Sequence, residues 1–324
     1  ALHANVGLMH ATMPIFNAWC DRRPMIIFGA TGPVDAHRRR PWIDWIHTAK
    51  DQASIVRNYT KWDDQPASPR AVVESVLRAN QITRTRPYGP VYICLDAGLQ
   101  ESPLTEDVAI PDPERFAPSL PPAVPLAPLI RVLNAIEKAK FPLILMGRVS
   151  RKQEDWDRRV RFAEAIGAAV STSINDPSAF PTMHPLHLAA PGLRPNKEQT
   201  ALIKKADLII NVGHDIVEKP PFIMRRGTNL KVIHINFVPA QVDNIYFPTL
   251  EVVGDIGNAL WQINEKLPKQ NYDVQAFLPA RERRATHDPE ARKLVTAVRE
   301  GVPENGIVAL DNGLYKISFA RHYE

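Results

Sequence analysis

The sequence predicts an α/β protein of several domains, each built on a doubly wound parallel sheet. Short, continuous apolar runs alternate along the chain with amphipathic helical patterns, which is the order of elements that a parallel sheet wrapped by helices requires. A proline-rich stretch separates two groups of these elements. The length of 324 residues also exceeds that of one ordinary domain.

The first group of elements occupies residues 1–104. Apolar residues recur at helical spacing between Gly7 and Asp21, and the run "PMIIFGA" that follows is typical of a strand buried on both faces. Ser68 is a suitable N-cap and Pro69 a suitable first residue for the next helix. The run "GPVYICLDA" then predicts a second buried strand. Strand, helix and strand in this order indicate a parallel sheet.

Residues 105–122 have little hydrophobic periodicity and predict a stiff, partly extended linker. The prolines in and around this stretch are Pro103, Pro111, Pro113, Pro118, Pro121, Pro122 and Pro125.

The second group, residues 123–273, predicts a complete doubly wound domain of common size. A helix in "PLIRVLNAIEKAKF" precedes the strand "PLILMG", and a helix from Trp156 to Ile166 ends at Gly167. Four strands and a closing helix between Ile256 and Leu267 follow; the strands are "AAVSTS", "DLIINVG", "KVIHINF" and "LEVVGD". The proline-rich segment 178–197 predicts a long loop.

Residues 285–324 predict the start of a third domain. The pattern is a helix, a strand "GIVALD" and a loop with Asn312 and Gly313. Because one strand cannot bury a core, we expect this chain to be a fragment that lacks both ends of a longer protein.

The composition excludes several classes of function. The formal charge is only +5, and no basic run exceeds the three arginines from Arg38 to Arg40, so we expect no nucleic-acid partner and a solvated loop at that run. No apolar run reaches the length of a membrane span. Cys20 and Cys94 have no metal-type spacing, which favours free thiols in a reducing cytoplasm.

Seven phrases, in order along nearly the whole chain, resemble the thiamine-diphosphate-dependent decarboxylases and carboligases, such as acetolactate synthase and benzoylformate decarboxylase. The first phrase is "LHANVG" with the following "NAW" and "IIFG". The others are "YTKWDDQPAS", "RPYGPVYICLDA", "AKFPLILMG", "KKADLIINVG", "KVIHINFVPAQV" and "LEVVGDIGNAL".

The resemblance implies three domains and a cofactor. Residues 1–104 would be the later part of a pyrimidine-binding domain, 123–273 a central Rossmann-like domain, and 285–324 the start of a diphosphate-binding domain. It also implies thiamine diphosphate held with Mg²⁺, whose protein ligands, like the activating glutamate, would lie outside this chain. The fragment by itself would then be inactive. In that family the cofactor lies between subunits, so a homodimer or homotetramer is expected.

The resemblance marks His3 as the catalytic candidate. The loop that contains it is similar to the one in which benzoylformate decarboxylase carries an active-site histidine, and an imidazole, which titrates near neutral pH, suits proton transfer at a carbonyl adduct. The alternative is a histidine exposed at a frayed terminus. We expect His47, farther along, to be a solvated residue.

Four further residues are candidates for cofactor binding. His10 stands where relatives usually have asparagine near the cofactor's pyrimidine, although a lone histidine on a helix is equally compatible with a structural role. Asp311, Asn312 and Gly313 match a loop near the family's cofactor diphosphate, at the carboxyl end of the predicted strand, where ligands of open α/β sheets bind. An ordinary Asn-Gly turn is the alternative for these three.

The central domain does not carry a strong nucleotide-binding signature. The segments "MGRVSR" and "VGHDIV" each contain a single glycine, whereas a loop that cradles pyrophosphate normally needs several. A structural role for this domain is favoured over FAD binding, which some relatives show.

The resulting functional prediction is a thiamine-diphosphate-dependent enzyme, either a 2-oxo acid decarboxylase or an acetolactate synthase-like carboligase. The alternative, from another class, is a non-catalytic Rossmann-like module that binds a nucleotide or regulates a partner. A glutamate upstream and a metal motif downstream in the full-length protein would favour the enzyme.

Overall fold

The structure is a computed structural model that describes residues 1–173, 175–188, 197–214, 230–241, 246–267, 288–311 and 313–323. Contacts between residues divide the chain into two compact units, Ala1–Pro121 and Pro122–Glu324, called here the first and the second unit. No helix in the described part of the chain is long and apolar enough to cross a membrane.

The first unit is a small parallel sheet with helices. Its strands are β1 (Met25–Thr31), β2 (Asp63–Asp64) and β3 (Pro90–Asp96), in the spatial order β1-β3-β2. β1 and β3 run in register from Met25 beside Pro90 to Thr31 beside Asp96. The helices are α1 (Ala4–His10), α2 (Thr12–Cys20), α3 (Ile43–Ile46), α4 (Pro69–Arg84) and α5 (Ala97–Gln100). The predicted α/β fold with parallel pairing is confirmed.

The single helix predicted between Gly7 and Asp21 is wrong, because the chain forms two helices that break at Ala11. Pro14 explains the break. Proline has no backbone N–H to donate, and its ring clashes with the carbonyl four residues earlier, which here belongs to His10. Pro14 is therefore accommodated in the first turn of a new helix, where its missing N–H costs nothing.

Helix α4 begins as the sequence predicts. The Ser68 hydroxyl accepts a hydrogen bond from the backbone N–H of Ala71 at 3.2 Å, and Pro69 is the first helical residue. At the other end, the ammonium group of Lys61 donates to the carbonyl oxygens of Ile82 and Thr85. A cation is favourable there, because carbonyls without helical partners collect at a helix C-terminus.

The second unit contains a five-stranded parallel sheet in the order β5-β4-β6-β7-β8. The strands are β4 (Pro142–Met146), β5 (Ala169–Thr172), β6 (Leu208–Val212), β7 (Lys231–Asn236) and β8 (Leu250–Val253), and all five were predicted. The helices are α6 (Leu126–Lys138), α7 (Gln153–Ile166), α8 (Lys197–Lys205), α9 (Ile256–Asn264), α10 (Pro289–Gly301) and α11 (Tyr315–His322). The strand order reverses at β4, which makes the gap between β4 and β6 the topological switch point of this doubly wound sheet.

Helix α7 ends as predicted. Gly167 adopts a left-handed conformation with φ 62° and ψ 28°, and the backbone N–H of Ala168 donates to the carbonyl of Ala163. Helix α8, in contrast, is absent from the prediction because its stretch of sequence is short and mostly polar.

The predicted strand "GIVALD" at residues 306–311 is wrong. These residues have no regular secondary structure, and Ile307 is 95% exposed. A strand is stable only when its backbone groups pair with a neighbouring strand, and the described residues of the chain supply none for this segment. The preceding helix of the tail, α10, forms as predicted.

The proline-rich segment 105–122 contains one short 3₁₀ turn, Pro113–Phe116, and no other regular element. The boundary between the two units falls directly after Pro121. The role of residues 105–122 as a linker, like the division into 1–104, 123–273 and 285–324, stays a prediction.

Candidate active site at the carboxyl end of the first sheet

The first candidate residue, His3, lies beside strand β1. The backbone N–H of Leu2 donates to the carbonyl of Phe28 at 2.8 Å, so the residues before α1 run alongside this strand. His3 is then the N-cap of α1, and its carbonyl accepts the N–H of Gly7 at 2.6 Å. Its backbone is therefore fixed, while its side chain is exposed and makes no capping hydrogen bond.

The ring of His3 contacts the ring of His47, which comes from a different segment. The two ring centroids are 4.9 Å apart with an interplanar angle of 71°, an edge-to-face arrangement. Close by, the side-chain amide of Asn5 donates to the carbonyl of Ile46 at 3.3 Å. The prediction that His47 is simply solvated is wrong, because this residue is half-buried and packs on the catalytic candidate.

The segment that carries His47 is held by a buried carboxylate. Asp44 is only 3% exposed, and it accepts hydrogen bonds from the backbone N–H of Arg40 at 2.6 Å and from its guanidinium at 3.1 Å. These bonds lower the pKa of Asp44 below its usual value. The Thr48 hydroxyl donates to the carbonyl of Asp44. The same turn packs against Gly32, directly after β1, where an added Cβ would lie 3.1 Å from the Asp44 Cβ.

The arginines around this turn are exposed, yet each one is bonded to its own unit rather than simply solvated. Arg38 donates to the carbonyl of Gly98 at 2.7 Å, and Arg39 donates to the carbonyl of Pro33 at 2.9 Å. The run Arg38–Arg40 is exposed, in line with the predicted solvated loop, and its hydrogen bonds also hold the connection between β1 and α3.

A buried side chain, Gln52, is hydrogen-bonded to two strands of the first sheet. Gln52 is nearly fully buried, and its side-chain N–H groups donate to the carbonyl of Ala30 at 2.7 Å and to the hydroxyl of Tyr92 at 2.9 Å. Burial raises the pKa of Tyr92 above its usual value, and it also raises the pKa of the neighbouring Cys94 thiol. Both groups therefore remain protonated, and this layer supports the site without taking part in proton transfer.

The rim of the site is apolar. Trp42 and Trp45 are each 70% exposed and Ile46 is 58% exposed, on the turn that precedes His47. The guanidinium of Arg39 stacks over the Trp45 ring at 5.5 Å, which fixes that side chain.

His10 is not close to His3 along the helix. It is the last residue of α1 and is exposed, so seven residues, about 10 Å of helical rise, separate it from the N-cap. Its predicted role in cofactor binding stays a prediction.

Two of the remaining predicted cofactor residues belong to the second unit. Asp311 is exposed and ends the segment without regular structure, while Gly313 is half-buried just before α11. An added Cβ at Gly313 would lie 2.5 Å from the Tyr315 ring, so that ring covers the turn. Asn312 lies outside the described residues. Within those residues, no three histidine, cysteine or acidic side chains are grouped as metal ligands.

The switch point of the second sheet is occupied by backbone pairing. The N–H of Gly147 donates to the carbonyl of Val212 at 3.0 Å, and the N–H of Arg148 donates to that of Gly213 at 2.8 Å. These are amide groups that a nucleotide-binding loop would direct at a phosphate. In the described part of this edge they are used internally, which supports the predicted structural role over FAD binding.

The second sheet also carries a buried polar chain. Asn211 on β6 and His234 on β7 are cross-strand partners, and the hydroxyl of Tyr246 lies 2.8 Å from the Asn211 amide nitrogen and 2.9 Å from Nδ1 of His234. The other ring nitrogen of His234 lies 3.1 Å from the carbonyl of Val238. Neutral His234 with its proton on Nε2 satisfies every one of these contacts.

Comparison with known proteins shows which proteins the chain resembles. Residues 129–263 match the model described as "Thiamine pyrophosphate enzyme, central domain". The catabolic acetolactate synthase of Raoultella terrigena is 25% identical, and the match covers 68% of this chain and 39% of that protein. The chain is therefore similar to thiamine-diphosphate-dependent decarboxylases and carboligases, and residues 129–263 correspond to their central domain.

Two further proteins extend the similarity beyond residues 129–263. The acetolactate synthase of Bacillus subtilis is 21% identical over 86% of this chain and 50% of its own length. The crystal structure of benzoylformate decarboxylase from Polynucleobacter necessarius superposes with a TM-score of 0.73 at 19% identity, over 94% of this chain and 56% of that one. This structural likeness shows the fold alone. The chain spans half or less of the length of these two acetolactate synthases.

Sequence reasoning missed the residues that build the site around His3. Asn5, Asp44 and Gln52 are single polar residues without a motif, and only the fold shows that they are bonded to the same end of the sheet. A usable signal was the Arg40–Asp44 spacing, since an acidic residue four positions from an arginine often pairs with it across one helical turn.

Proposed function

We propose that the complete protein is a thiamine-diphosphate-dependent enzyme that acts on a 2-oxo acid, either as a decarboxylase or as an acetolactate synthase-like carboligase. The observation that carries this proposal is His3, whose exposed ring packs on His47 at the carboxyl end of a parallel sheet, in a chain whose residues 129–263 match the central domain of thiamine pyrophosphate enzymes. Ligands of open α/β sheets bind beyond such strand ends.

His3 holds the proton that this chemistry needs. An imidazole with a fixed backbone and no capping hydrogen bond is free to donate to the oxygen, or accept from the hydroxyl, of a carbonyl adduct. The exposed rings of Trp42 and Trp45, on the turn before His47, offer an apolar surface to a substrate. When bound, thiamine diphosphate supplies a carbanion and an electron sink for decarboxylation.

The residues present fit the reacting end of that cofactor. The side-chain oxygen Oδ1 of Asn5 is buried and has no hydrogen-bond partner within the described residues, so a bound N–H or O–H group would satisfy it. Asn5 stands two residues after His3, on the first turn of α1. His10 would lie toward the aminopyrimidine from the far end of this helix.

The diphosphate end of the cofactor would be bound by other residues than the reacting end. We propose that Asp311, Asn312 and Gly313 lie beside the diphosphate, and that Mg²⁺ is held by oxygen ligands from outside this chain, since Mg²⁺ prefers carboxylate and phosphate oxygens. We also propose a central domain with a structural role and without FAD, and the backbone hydrogen bonds of Gly147 and Arg148 at its switch point support this.

The proposal extends to assembly and location. Residues 1–104, 123–273 and 285–324 would be the pyrimidine-binding part, the central domain and the start of the diphosphate-binding domain, joined at 105–122. The exposed side chains Met9, Met13 and Phe16 on α1 and α2 would face a second subunit of a homodimer or homotetramer. A cytoplasmic enzyme is consistent with two free cysteines.

The test uses the full-length protein loaded with thiamine diphosphate and Mg²⁺. Carbon dioxide release and acyloin formation are measured over a panel of 2-oxo acids with small, branched and aromatic side chains. We expect turnover of at least one member, and His3→Ala should lower kcat about tenfold or more, as loss of a general acid–base group commonly does.

The matched control is His37→Ala, which removes an exposed histidine from the same unit and should leave kcat unchanged. Inert full-length protein that binds a nucleotide but turns over no 2-oxo acid would instead favour the non-catalytic module. Full activity of His3→Ala would remove His3 from the mechanism.

A further inference from the structure

The edge-to-face contact between His3 and His47 is the strongest feature of the described chain to which no role has yet been assigned. We propose that His47 is a positioning residue that holds the His3 imidazole in its working orientation. This inference rests on the proposed function for its kinetic consequences, and its structural part is testable without any activity.

His47 is itself well fixed. Its Nδ1 lies 2.8 Å from the carbonyl oxygen of Ile43, and its backbone N–H donates to the same oxygen at 3.3 Å. A carbonyl can only accept, so Nδ1 carries a proton and the ring orientation is set. The turn below is clamped by the buried Asp44 and its bonds to Arg40.

His3, in contrast, has a fixed backbone and a ring that lacks a hydrogen bond to any described residue. Its N-cap position and the bond from Leu2 to β1 set the Cα–Cβ direction, while the side chain could still rotate about χ1 and χ2. The His47 ring, 4.9 Å away, blocks part of that rotation. Catalytic groups need this kind of support, because small errors of placement cost large factors in rate.

A second tie keeps the two rings together. The Asn5 side chain bridges α1 to the carbonyl of Ile46, the residue before His47, at 3.3 Å. The helix next to His3 and the turn that carries His47 are therefore linked by a hydrogen bond as well as by the ring contact. The contact is a product of this arrangement and not of sequence proximity, since 44 positions separate the two histidines.

The experiment compares His47→Ala with His47→Phe, which keeps an aromatic ring and removes the imidazole. In the 324-residue chain labelled with ¹³C at histidine Cε1, the His3 signal is assigned by its loss in His3→Gln. His47→Ala should shift this signal, because the ring current of the neighbouring imidazole is lost. His47→Phe restores an aromatic ring, so the His3 signal in that variant should differ from the one in His47→Ala by a similar amount. His37→Ala, again the control, should leave it unmoved.

In the full-length holoenzyme, His47→Ala should lower kcat roughly tenfold with KM within about threefold of the parent, and His47→Phe should recover most of the loss. The double variant His3→Ala/His47→Ala should be no slower than His3→Ala alone, because a residue that acts only through His3 has nothing left to position. The melting temperature should be nearly the same for the two His47 variants.

Three results would overturn the proposal: a His3 signal that does not move in His47→Ala, multiplicative losses of kcat in the double variant, or a kcat for His47→Phe as low as for His47→Ala. A wild-type protein without turnover would refute the proposed function only. The histidine spectra would still test the ring contact independently of activity.

Discussion

Replacing Tyr246 by phenylalanine tests the buried polar chain of the second sheet. The substitution removes one hydroxyl from a residue that is 6% exposed and leaves the aromatic ring in place. That hydroxyl accepts from the Asn211 amide at 2.8 Å and donates to Nδ1 of His234 at 2.9 Å. Burial raises the pKa of the Tyr246 hydroxyl, so it remains a donor throughout the neutral range.

The size of the expected destabilisation follows from the hydrogen bonds that the Tyr246 hydroxyl makes. A net hydrogen bond is worth about 0.5–1.5 kcal/mol, and a buried donor left without an acceptor costs about 1–3 kcal/mol. Asn211 is fully buried, so its amide nitrogen gains no water in exchange. We therefore expect Tyr246→Phe to lower the free energy of unfolding of the second unit by roughly 2–3 kcal/mol.

Hydrogen exchange resolves the effect locally. The slowest amides of β6 and β7 should exchange roughly thirtyfold faster in Tyr246→Phe, the equivalent of about 2 kcal/mol. The control is Tyr59→Phe, which removes a hydroxyl bonded to Ile55 in the first unit and should leave these amides unchanged.

A double variant separates the network from simple packing. Adding Asn211→Leu replaces the amide by an apolar group of similar size, so Tyr246→Phe should cost less in that background by about 1 kcal/mol. Additive losses, or a cost below about 0.5 kcal/mol for Tyr246→Phe alone, would show that these contacts do not support the sheet.

Three further predictions concern the first unit. The lowered pKa of Asp44 stabilises the fold above about pH 4, the usual value for a carboxyl group, and this contribution is lost as the pH falls through the folded pKa. In urea titrations, the difference in free energy of unfolding between the parent and Asp44→Asn should therefore become smaller in acid. Iodoacetamide should label the half-buried Cys20 well before Cys94, whose thiol is buried and has a raised pKa, as peptide mass spectrometry can show; equal rates would contradict this. Gly29→Ala should lower the free energy of unfolding in urea titrations by roughly 1–3 kcal/mol, because the new Cβ would lie 2.7 Å from two ring carbons of the fully buried Tyr92. An unchanged urea midpoint would mean that this ring can move.

The sequence predicts the regular sheets well because they consist of local signals. The buried strands of both units are continuous apolar runs, and the ends of α4 and α7 carry a serine cap and a C-terminal glycine. Apart from the missed helix α8, two predictions fail, and they fail for different reasons. Pro14 divides a helix whose apolar spacing is regular, and "GIVALD" is an apolar run without a neighbouring strand in the described residues. Hydrophobic pattern alone reports neither effect.

The candidate site is harder to predict, because it depends on the positions that the loops between strands and helices take in the folded chain. His3 is recognised from its family loop, whereas the place of His47 depends on the turn that Asp44 and Arg40 close. An ion pair between an exposed arginine and a buried aspartate has no periodicity that distinguishes it from other charged residues. Only the packed turn shows that the second histidine belongs beside the first.

The two parallel sheets offer two edges at which a ligand could bind, and their polar groups differ. At the switch point of the second sheet, the described amides of Gly147 and Arg148 are bonded to β6 and to the residue after it. At the corresponding end of the first sheet, the His3 ring and the buried Oδ1 of Asn5 have no hydrogen-bond partner among the described residues. The buried Oδ1 of Asn5 is an atom that a bound N–H or O–H group would satisfy. The second sheet has such an atom as well, since Oδ1 of Asn211 on β6 is buried and has no partner among the described residues. What distinguishes the first edge is therefore the exposed ring of His3, which packs on His47, and the reaction site that we propose lies there.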